Sequence, residues 1–240
     1  MGTESEADKV SQRLVLVREG IAEAAAKCGR RPEDIKLIAV TKFVEKERIL
    51  PAILNGITDV GENRAQEFTD KFDFFTEHGL IKHFIGVLQL NKVKYLVGKA
   101  DLIQSVDRPE LVNEINRRAE KLNLVQNILI EVNIGGEEQK SGISPEALPE
   151  LLKIISDMSG IFVKGLMCVP PAGDEESTRP YFARMRELFE SMKTYNGRNI
   201  SMDELSMGMS GDYKAAIAEG ATYIRIGSGI FGPRDYSKKM

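Results

Sequence analysis

Strand-like and helical stretches alternate along nearly the whole chain, and this alternation constrains the fold more than any other feature. Between the strand-like stretches lie amphipathic segments with helix start and stop residues. Alternating β and α elements build a parallel sheet, and eight strands in one chain predict a closed (β/α)8 TIM barrel, an α/β fold. The alternative is an open, doubly wound sheet. The eight predicted strands are 36–41, 58–62, 83–86, 101–106, 127–133, 162–169, 204–208 and 222–227.

A further amphipathic helix is predicted before the first strand, over residues 7–28. Its apolar residues recur at steps of three and four, and Gly29 follows as a stop signal. No full helix is predicted after the last strand, so we expect the leading helix to fill the eighth helical position. No linker rich in Pro or Gly divides the chain, so we expect a single domain over residues 1–240.

Charge and cysteine content narrow the classes of function. Lys plus Arg number 33 and Asp plus Glu 36, a net charge of −3. This balance gives no electrostatic basis for binding nucleic acid or a membrane surface. Cys28 and Cys168 are far apart and lack metal-ligand spacing. With a polar amino terminus and no long apolar run, these features predict a cytoplasmic protein.

In (β/α)8 barrels the reactive groups lie at the carboxyl ends of the strands, and phosphates bind near the loops after strands seven and eight. In this chain those two loops are rich in Gly and Ser, which offer close-approaching amides and hydroxyls to an anion. Together they predict a phosphate site; the alternative is that the glycines only end the strands. The residues concerned are Ser206, Gly208, Ser210, Gly211, Gly227, Ser228 and Gly229.

Lys42 follows an apolar run at the end of the first predicted strand. An amine at a strand mouth, across from a phosphate site, can hold an aldehyde-bearing phosphate ester once its pKa is lowered from about 10.4. Two ligand classes fit, a sugar phosphate and pyridoxal 5′-phosphate (PLP). Arg225 would reach the ring of a ligand bound at Gly227, which favours PLP. The alternatives are a Lys42 that reaches solvent and an Arg225 ion pair on the barrel rim.

Two other sequence patterns give little evidence for a functional site. The segment "GSGIFG", 227–232, matches G-x-G-x-x-G. A dinucleotide site needs a following helix and a carboxylate about 20 residues on; the sequence ends at Met240, so that interpretation is rejected. His78 and His83 are not spaced as metal ligands and are expected to be structural.

Several sequence blocks together resemble a known family. The chain resembles the YggS/PROSC family of PLP-binding proteins, or PLP homeostasis proteins, whose barrel is similar to the N-terminal domain of alanine racemase. The resemblance implies a barrel of that type and PLP as cofactor. The blocks are "LIAVTK", "GENRAQE", "HFIGVLQLNK", "VNIGGEEQKSG", "GLMCVPP" and "LSMGMSGDYKAAIAEGATYIRIGSGIFG".

The resemblance also implies residue roles. Lys42 would carry PLP as a Schiff base, and Asn63 would lie beside the aldimine or ring. Arg225 would approach the pyridine nitrogen. The phosphate would be held by Ser206, Ser210, Gly227 and Ser228.

The chain departs from the family pattern at four positions. Val87 and Leu90 stand where the third-strand block commonly has His and Ser, and Gly211 stands where Asn is common. The loss of a polar group at Val87 bears on the surroundings of the cofactor. Ser228 replaces a common Thr but keeps the hydroxyl.

The resemblance implies PLP binding without established turnover, so we expect a homeostasis protein rather than an enzyme. An Arg at the pyridine nitrogen favours an unprotonated ring, a weaker electron sink. Racemases of this fold add a second domain and a Tyr, which we expect to be absent. The alternative is a PLP-dependent amino-acid racemase using Lys42 as one base.

We expect a monomer whose partners are PLP-dependent apoenzymes. Lys140 is a hypothetical transient PLP carrier or, alternatively, a solvated loop lysine.

Overall fold

The computed structural model describes residues 5–233, and within them eight parallel strands close into a barrel. Each strand pairs with its neighbour in chain order, and β8 pairs with β1, with Arg225 opposite Ile38. The predicted (β/α)8 barrel is therefore confirmed. The strands are β1 (Lys36–Val40), β2 (Asp59–Glu62), β3 (Ile81–Phe84), β4 (Leu102–Val106), β5 (Gln126–Val132), β6 (Ile161–Cys168), β7 (Ile200–Ser206) and β8 (Tyr223–Ile226).

The helices form the outer layer. They are α1 (Glu6–Lys27), α2 (Lys46–Leu54), α3 (Ala65–Glu77), α4 (Pro109–Lys121), α5 (Leu148–Ser156), α6 (Glu175–Met192), α7 (Tyr213–Ala218) and α8 (Ser228–Phe231). Short 3₁₀ helices occupy Pro32–Asp34, Leu90–Tyr95 and Lys193–Tyr195.

The leading helix α1 packs against α7, α2 and the single turn α8. It therefore fills the eighth helical position, as predicted. Ser5 caps it: its hydroxyl accepts from the amide of Asp8, whose side chain accepts in turn from the Ser5 amide. This reciprocal capping box satisfies two of the amides that a helix start leaves unpaired.

The expectation of an α-helix between every pair of strands was wrong at one place. β3 and β4 are joined by the 3₁₀ helix Leu90–Tyr95. Only Val93 of that segment is buried, so it offers no apolar stripe long enough to hold several α-helical turns on the barrel. Strand bounds also differ: β7 begins at Ile200 rather than 204, and β3 at Ile81 rather than 83.

The core has two parts. The large one lies between the sheet and the helices. The smaller one joins Ile38, Leu102, Leu129, Met167 and Tyr223 from five different strands and lies inside the barrel. Within the described residues, no helix is long and apolar enough to cross a membrane.

Candidate functional site

Lys42 lies in a tight turn directly after β1. The Val44 amide donates to the Thr41 carbonyl at 3.0 Å, which makes Lys42 and Phe43 the central residues of the turn. Phe43 adopts a left-handed conformation with φ 60°, and its amide donates to Glu67 Oε2 at 2.7 Å. The backbone on both sides of Lys42 is thus fixed, and the half-buried side chain starts from a defined position.

Lys42, Gly227 and Ser228 line one cavity at the barrel mouth. Three of the residues predicted from sequence are therefore brought together by the ends of β1 and β8. Arg48 of α2 lines the same cavity, and its guanidinium donates to the Phe231 carbonyl. Sequence reasoning missed Arg48, because nothing in an amphipathic helix pattern singles out one arginine near the strand ends.

The loops after β7 and β8 also meet. The Gly229 amide donates to Ser210 Oγ at 3.2 Å. Gly208 accepts at its carbonyl from the Arg225 amide at 3.0 Å. Gly208 has φ +94°, and a Cβ there would lie 2.6 Å from that of Ala216, so the loop needs glycine at this position. Ser210 only accepts in these contacts and keeps its own proton to donate.

Arg225 is buried inside the barrel, with 4% of its surface exposed. It donates through Nη1 to Ser206 Oγ at 2.7 Å and through Nη2 to the Cys168 carbonyl at 2.9 Å. The expected alternative, an ion pair on the rim, does not describe this placement. Burial lowers the pKa of the Arg225 guanidinium, and the carboxylates of Glu131 and Asp212 oppose that effect.

Ser206 is fully buried, and its hydroxyl is held on both sides. It accepts from Arg225 and donates its single proton to Gln104 Oε1 at 2.7 Å. A hydroxyl has one proton to give, so in this arrangement Ser206 offers no donor to a phosphate. Its predicted phosphate contact stays a prediction that these two bonds do not support.

Asn63 follows β2 and presents a buried side-chain oxygen, Oδ1, with no hydrogen-bond partner among the described residues. Its backbone packs closely on Gly86, where an added Cβ would lie 2.2 Å from the Asn63 carbonyl oxygen. A buried amide oxygen left without a donor costs about 1 to 3 kcal/mol. A ligand with a hydrogen-bond donor would remove that cost.

The positions that depart from the family pattern lie at the surface. Val87 and Leu90 are 64% and 42% exposed, so neither substitution changes the buried part of the site. Lys140 forms an ion pair with Glu137 at 2.6 Å and donates to the Pro170 carbonyl at 2.9 Å. These contacts hold Lys140 in its loop and leave its proposed carrier role a prediction.

A chain of polar side chains crosses the barrel interior beneath Arg225, and sequence reasoning found only its Arg225 and Ser206 end. Gln104 Nε2 lies 3.0 Å from His83 Nδ1, and His83 Nε2 lies 2.9 Å from Asp59 Oδ1. All three residues are at most 5% exposed. The signal was present as polar residues inside otherwise apolar strands; the expectation that His83 is structural fits its place in this chain.

A second buried polar group lies next to Thr41, the residue before Lys42. Glu62 Oε1 accepts from Thr41 Oγ1 at 2.7 Å and from Lys71 Nζ at 2.8 Å. Burial raises the pKa of the Glu62 carboxyl, while the charge of Lys71 acts in the opposite direction. Glu131, inside the barrel, accepts from Ser141 at 2.8 Å, and burial raises its pKa as well. Within residues 5–233 no three acidic, His or Cys side chains are placed to hold a metal ion.

A (β/α)8 barrel with a lysine and a Gly-Ser loop at its mouth defines a class of protein, and the comparison with known families identifies that class. The sequence profile of the family described as "Alanine racemase, N-terminal domain" matches residues 17–235. The chain belongs to this family, and within it to the pyridoxal phosphate homeostasis proteins.

That narrower assignment rests on close relatives. The chain is 46% identical over 226 residues to the pyridoxal phosphate homeostasis protein of Aquifex aeolicus, covering 94% of this chain and 98% of the relative. It is 41% identical over 236 residues to the protein of that name from Escherichia coli K12, covering 96% and 99%. The solved structure of PipY from Synechococcus elongatus PCC7942 with PLP bound is similar at a TM-score of 0.80 and 31% identity, covering 93% and 100%.

Proposed function

We propose that this protein binds PLP and serves PLP homeostasis, with Lys42 holding the aldehyde as a Schiff base. The observation that carries the proposal is that Lys42, Gly227 and Ser228 line one small cavity. It puts an amine beside a loop with a hydroxyl and close-approaching backbone, the two groups that an aldehyde bearing a phosphate requires.

The remaining groups fit the same ligand. Arg225 brings a buried cation to the barrel interior, Ser210 has a proton to donate, and the unpartnered Oδ1 of Asn63 offers an acceptor. We assign Ser210, Gly227 and Ser228 to the phosphate, Asn63 and Arg225 to the ring side, and Lys42 to the aldehyde. Bound PLP would supply an electrophilic aldehyde and an electron-withdrawing ring.

We further propose that binding is not followed by amino-acid turnover. Racemisation needs a proton donor and a proton acceptor on opposite sides of the reacting carbon. Lys42 and Arg48 are the ionisable side chains that line the cavity among the described residues, and the carboxyl of Glu131, inside the barrel, is engaged by Ser141. Arginine stays protonated in proteins and cannot act as the acceptor. Loss of substrate α-deuterium from several amino acids, abolished in Lys42→Ala, would support the racemase alternative instead.

The decisive experiment is titration of the purified protein with PLP, followed by borohydride reduction and peptide mapping. The expected result is a visible absorption band and one modified peptide, the one containing Lys42. Lys42→Ala should lose both, and Lys140→Ala serves as a lysine control that retains both. Label scattered over surface lysines would contradict the proposal and restore the sugar-phosphate interpretation.

The physiological setting is part of the same proposal. A carrier of PLP would act in the cytoplasm as a monomer and hand its ligand to PLP-dependent apoenzymes. The two cysteines form no disulfide, which suits a reducing compartment. Sedimentation of the PLP-loaded protein, alone and with an apoenzyme such as an aminotransferase, tests both the oligomeric state and the transfer.

A further inference from the structure

The guanidinium of Arg225 begins a hydrogen-bonded chain that runs from near the carboxyl ends of the strands toward their amino ends. Its four links join Arg225 to Ser206, Ser206 to Gln104, Gln104 to His83, and His83 to Asp59, at 2.7, 2.7, 3.0 and 2.9 Å. Every member is at most 5% exposed. The chain draws one side chain from each of five strands.

The direction of every bond follows from the two ends. Arginine only donates, so Ser206 accepts from Arg225 and gives its proton to Gln104 Oε1. The amide nitrogen of Gln104 then faces His83 Nδ1 and donates to it, which leaves the His83 proton on Nε2. That proton is donated to the Asp59 carboxylate, which only accepts when ionised. In this arrangement each of these buried groups is paired with its neighbours.

The lower end of the chain is anchored electrostatically. Burial by itself raises the pKa of Asp59, but the hydrogen bonds from His83 and Thr58, together with nearby positive charge, outweigh it and hold the pKa below its ordinary value. An ionised Asp59 keeps His83 in a single orientation and a single tautomer. The orientation then passes upward through Gln104 and Ser206, because each is hydrogen-bonded to both of its neighbours.

We propose that Ser206 and Gln104 are positioning residues for Arg225, held by His83 and Asp59, and that Ser206 is not a phosphate ligand. The proposal rests on the PLP-binding function proposed above and deepens it. Arg225 is the residue that this chain orients. Its Nη1 donates to Ser206 Oγ and its Nη2 to the Cys168 carbonyl. With both terminal nitrogens fixed, the guanidinium plane has one orientation toward a ligand ring.

The proposal assigns different partners to Ser206, the last residue of β7, and to Ser210 in the loop that follows. Ser206→Ala and Gln104→Met should each weaken binding of PLP and of pyridoxal, which lacks the phosphate, by the same factor, about tenfold. Both variants should also shift the absorption band of the bound ligand, because the cation beside its ring has moved. Ser210→Ala should weaken PLP binding alone. Ser201 lies on the same strand but takes no part in the hydrogen-bonded chain, so Ser201→Ala should change neither ligand binding nor the absorption band.

A ligand-free readout keeps the proposal independent of PLP binding. In the apoprotein, the order parameter of the Arg225 side-chain Nε–H, measured by ¹⁵N NMR relaxation, should fall in Ser206→Ala and Gln104→Met and stay unchanged in Ser201→Ala. In the double variant Ser206→Ala/Gln104→Met this order parameter should fall no further than in either single variant, since both substitutions break the same chain.

Three results would overturn the positioning role. One is a selective loss of PLP over pyridoxal in Ser206→Ala, as in Ser210→Ala. Another is an unchanged absorption band in both chain variants. The third is an unchanged Arg225 order parameter. If the wild type binds no PLP, the proposed function fails, and the order parameter in the apoprotein still decides whether the chain positions Arg225.

Discussion

Lys71 of α3 donates from Nζ to the backbone carbonyl of Thr41 at 2.7 Å, and Thr41 is the residue immediately before Lys42. Lys71 is 8% exposed and Thr41 fully buried. A helix on the outside of the barrel therefore fixes the backbone from which the Lys42 side chain starts. The same Nζ is paired with Glu62 at 2.8 Å and with Glu67 at 3.5 Å.

Lys71→Met is expected to lower the free energy of unfolding by about 3 to 5 kcal/mol, because it leaves the buried Glu62 carboxylate without its cation. It should also reduce the fraction of Lys42 trapped by PLP and borohydride. Urea denaturation and peptide mapping measure the two effects.

An exposed ion pair supplies the control. Lys153 pairs with Glu150 at 3.3 Å, and both side chains are more than half exposed; Lys153→Met should cost no more than about 0.5 kcal/mol. Adding Glu62→Gln to Lys71→Met should recover part of the loss, since the unpaired charge is then removed. Equal effects of Lys71→Met and Lys153→Met would show that the buried pair does not support the turn.

The sequence contained enough to predict the barrel and much of its mouth. The alternation of elements gives the order of the strands, and the known geometry of such barrels then brings Lys42, Gly227 and Ser228 to one end. The expected reach of Arg225 toward a ligand ring requires an inward side chain, and Arg225 is buried inside the barrel. These inferences succeed because each needs only the face of a strand or the place where it ends.

The hydrogen-bonded chain beneath Arg225 could not be predicted in this way. The bond between Ser206 and Gln104 joins residues 102 positions apart, and strand alternation says only that both face the same side. Whether a buried hydroxyl meets a phosphate or an amide depends on the register of β4 against β7 through two intervening strands. That register is fixed by packing of the whole barrel and by irregularities such as the shift between β4 and β5.

Gly208→Ala is expected to destabilise the protein by about 2 to 4 kcal/mol. Its φ of +94° disfavours any residue with a Cβ, and the added methyl would lie 2.6 Å from the Ala216 side chain. PLP binding should weaken too, because the Gly208 carbonyl accepts from the Arg225 amide. Thermal and urea unfolding measure the change.

Gly211 provides the matched control on the same loop. A Cβ there meets nothing within 4 Å, so Gly211→Ala should change the free energy of unfolding by less than about 1 kcal/mol. This also bears on the family pattern, since a residue with a side chain is common at that position. A comparable loss from both substitutions would mean that the loop tolerates no side chain for reasons other than the Gly208 backbone.

The two cysteines should differ sharply in reactivity. Cys168 is fully buried, and burial raises the pKa of its thiol to about 12; Cys28 is exposed. Since the thiolate is the nucleophile, titration of the native protein with an aromatic disulfide reagent should show one fast thiol, and two after denaturation. Cys28→Ala should remove the fast phase. Two fast thiols in the native wild type would contradict the burial of Cys168 beside Arg225.

Asp59 should make stability depend on acid pH. Because its folded pKa lies below the ordinary 3.8, the ionised carboxylate contributes stability that is fully present above the unfolded value, about 3.9, and is lost as pH falls through the folded pKa. Asp59→Asn should therefore be less stable than wild type at pH 6, and the difference should shrink steadily below pH 4. Urea unfolding at a series of pH values between about 2.5 and 6 measures this difference.

In a His83→Ala background the effect of Asp59→Asn should be smaller at every pH, because the bond from His83 is the largest influence that lowers the pKa of Asp59. A difference between wild type and Asp59→Asn that does not vary with pH would show that the carboxylate is not held ionised by the chain.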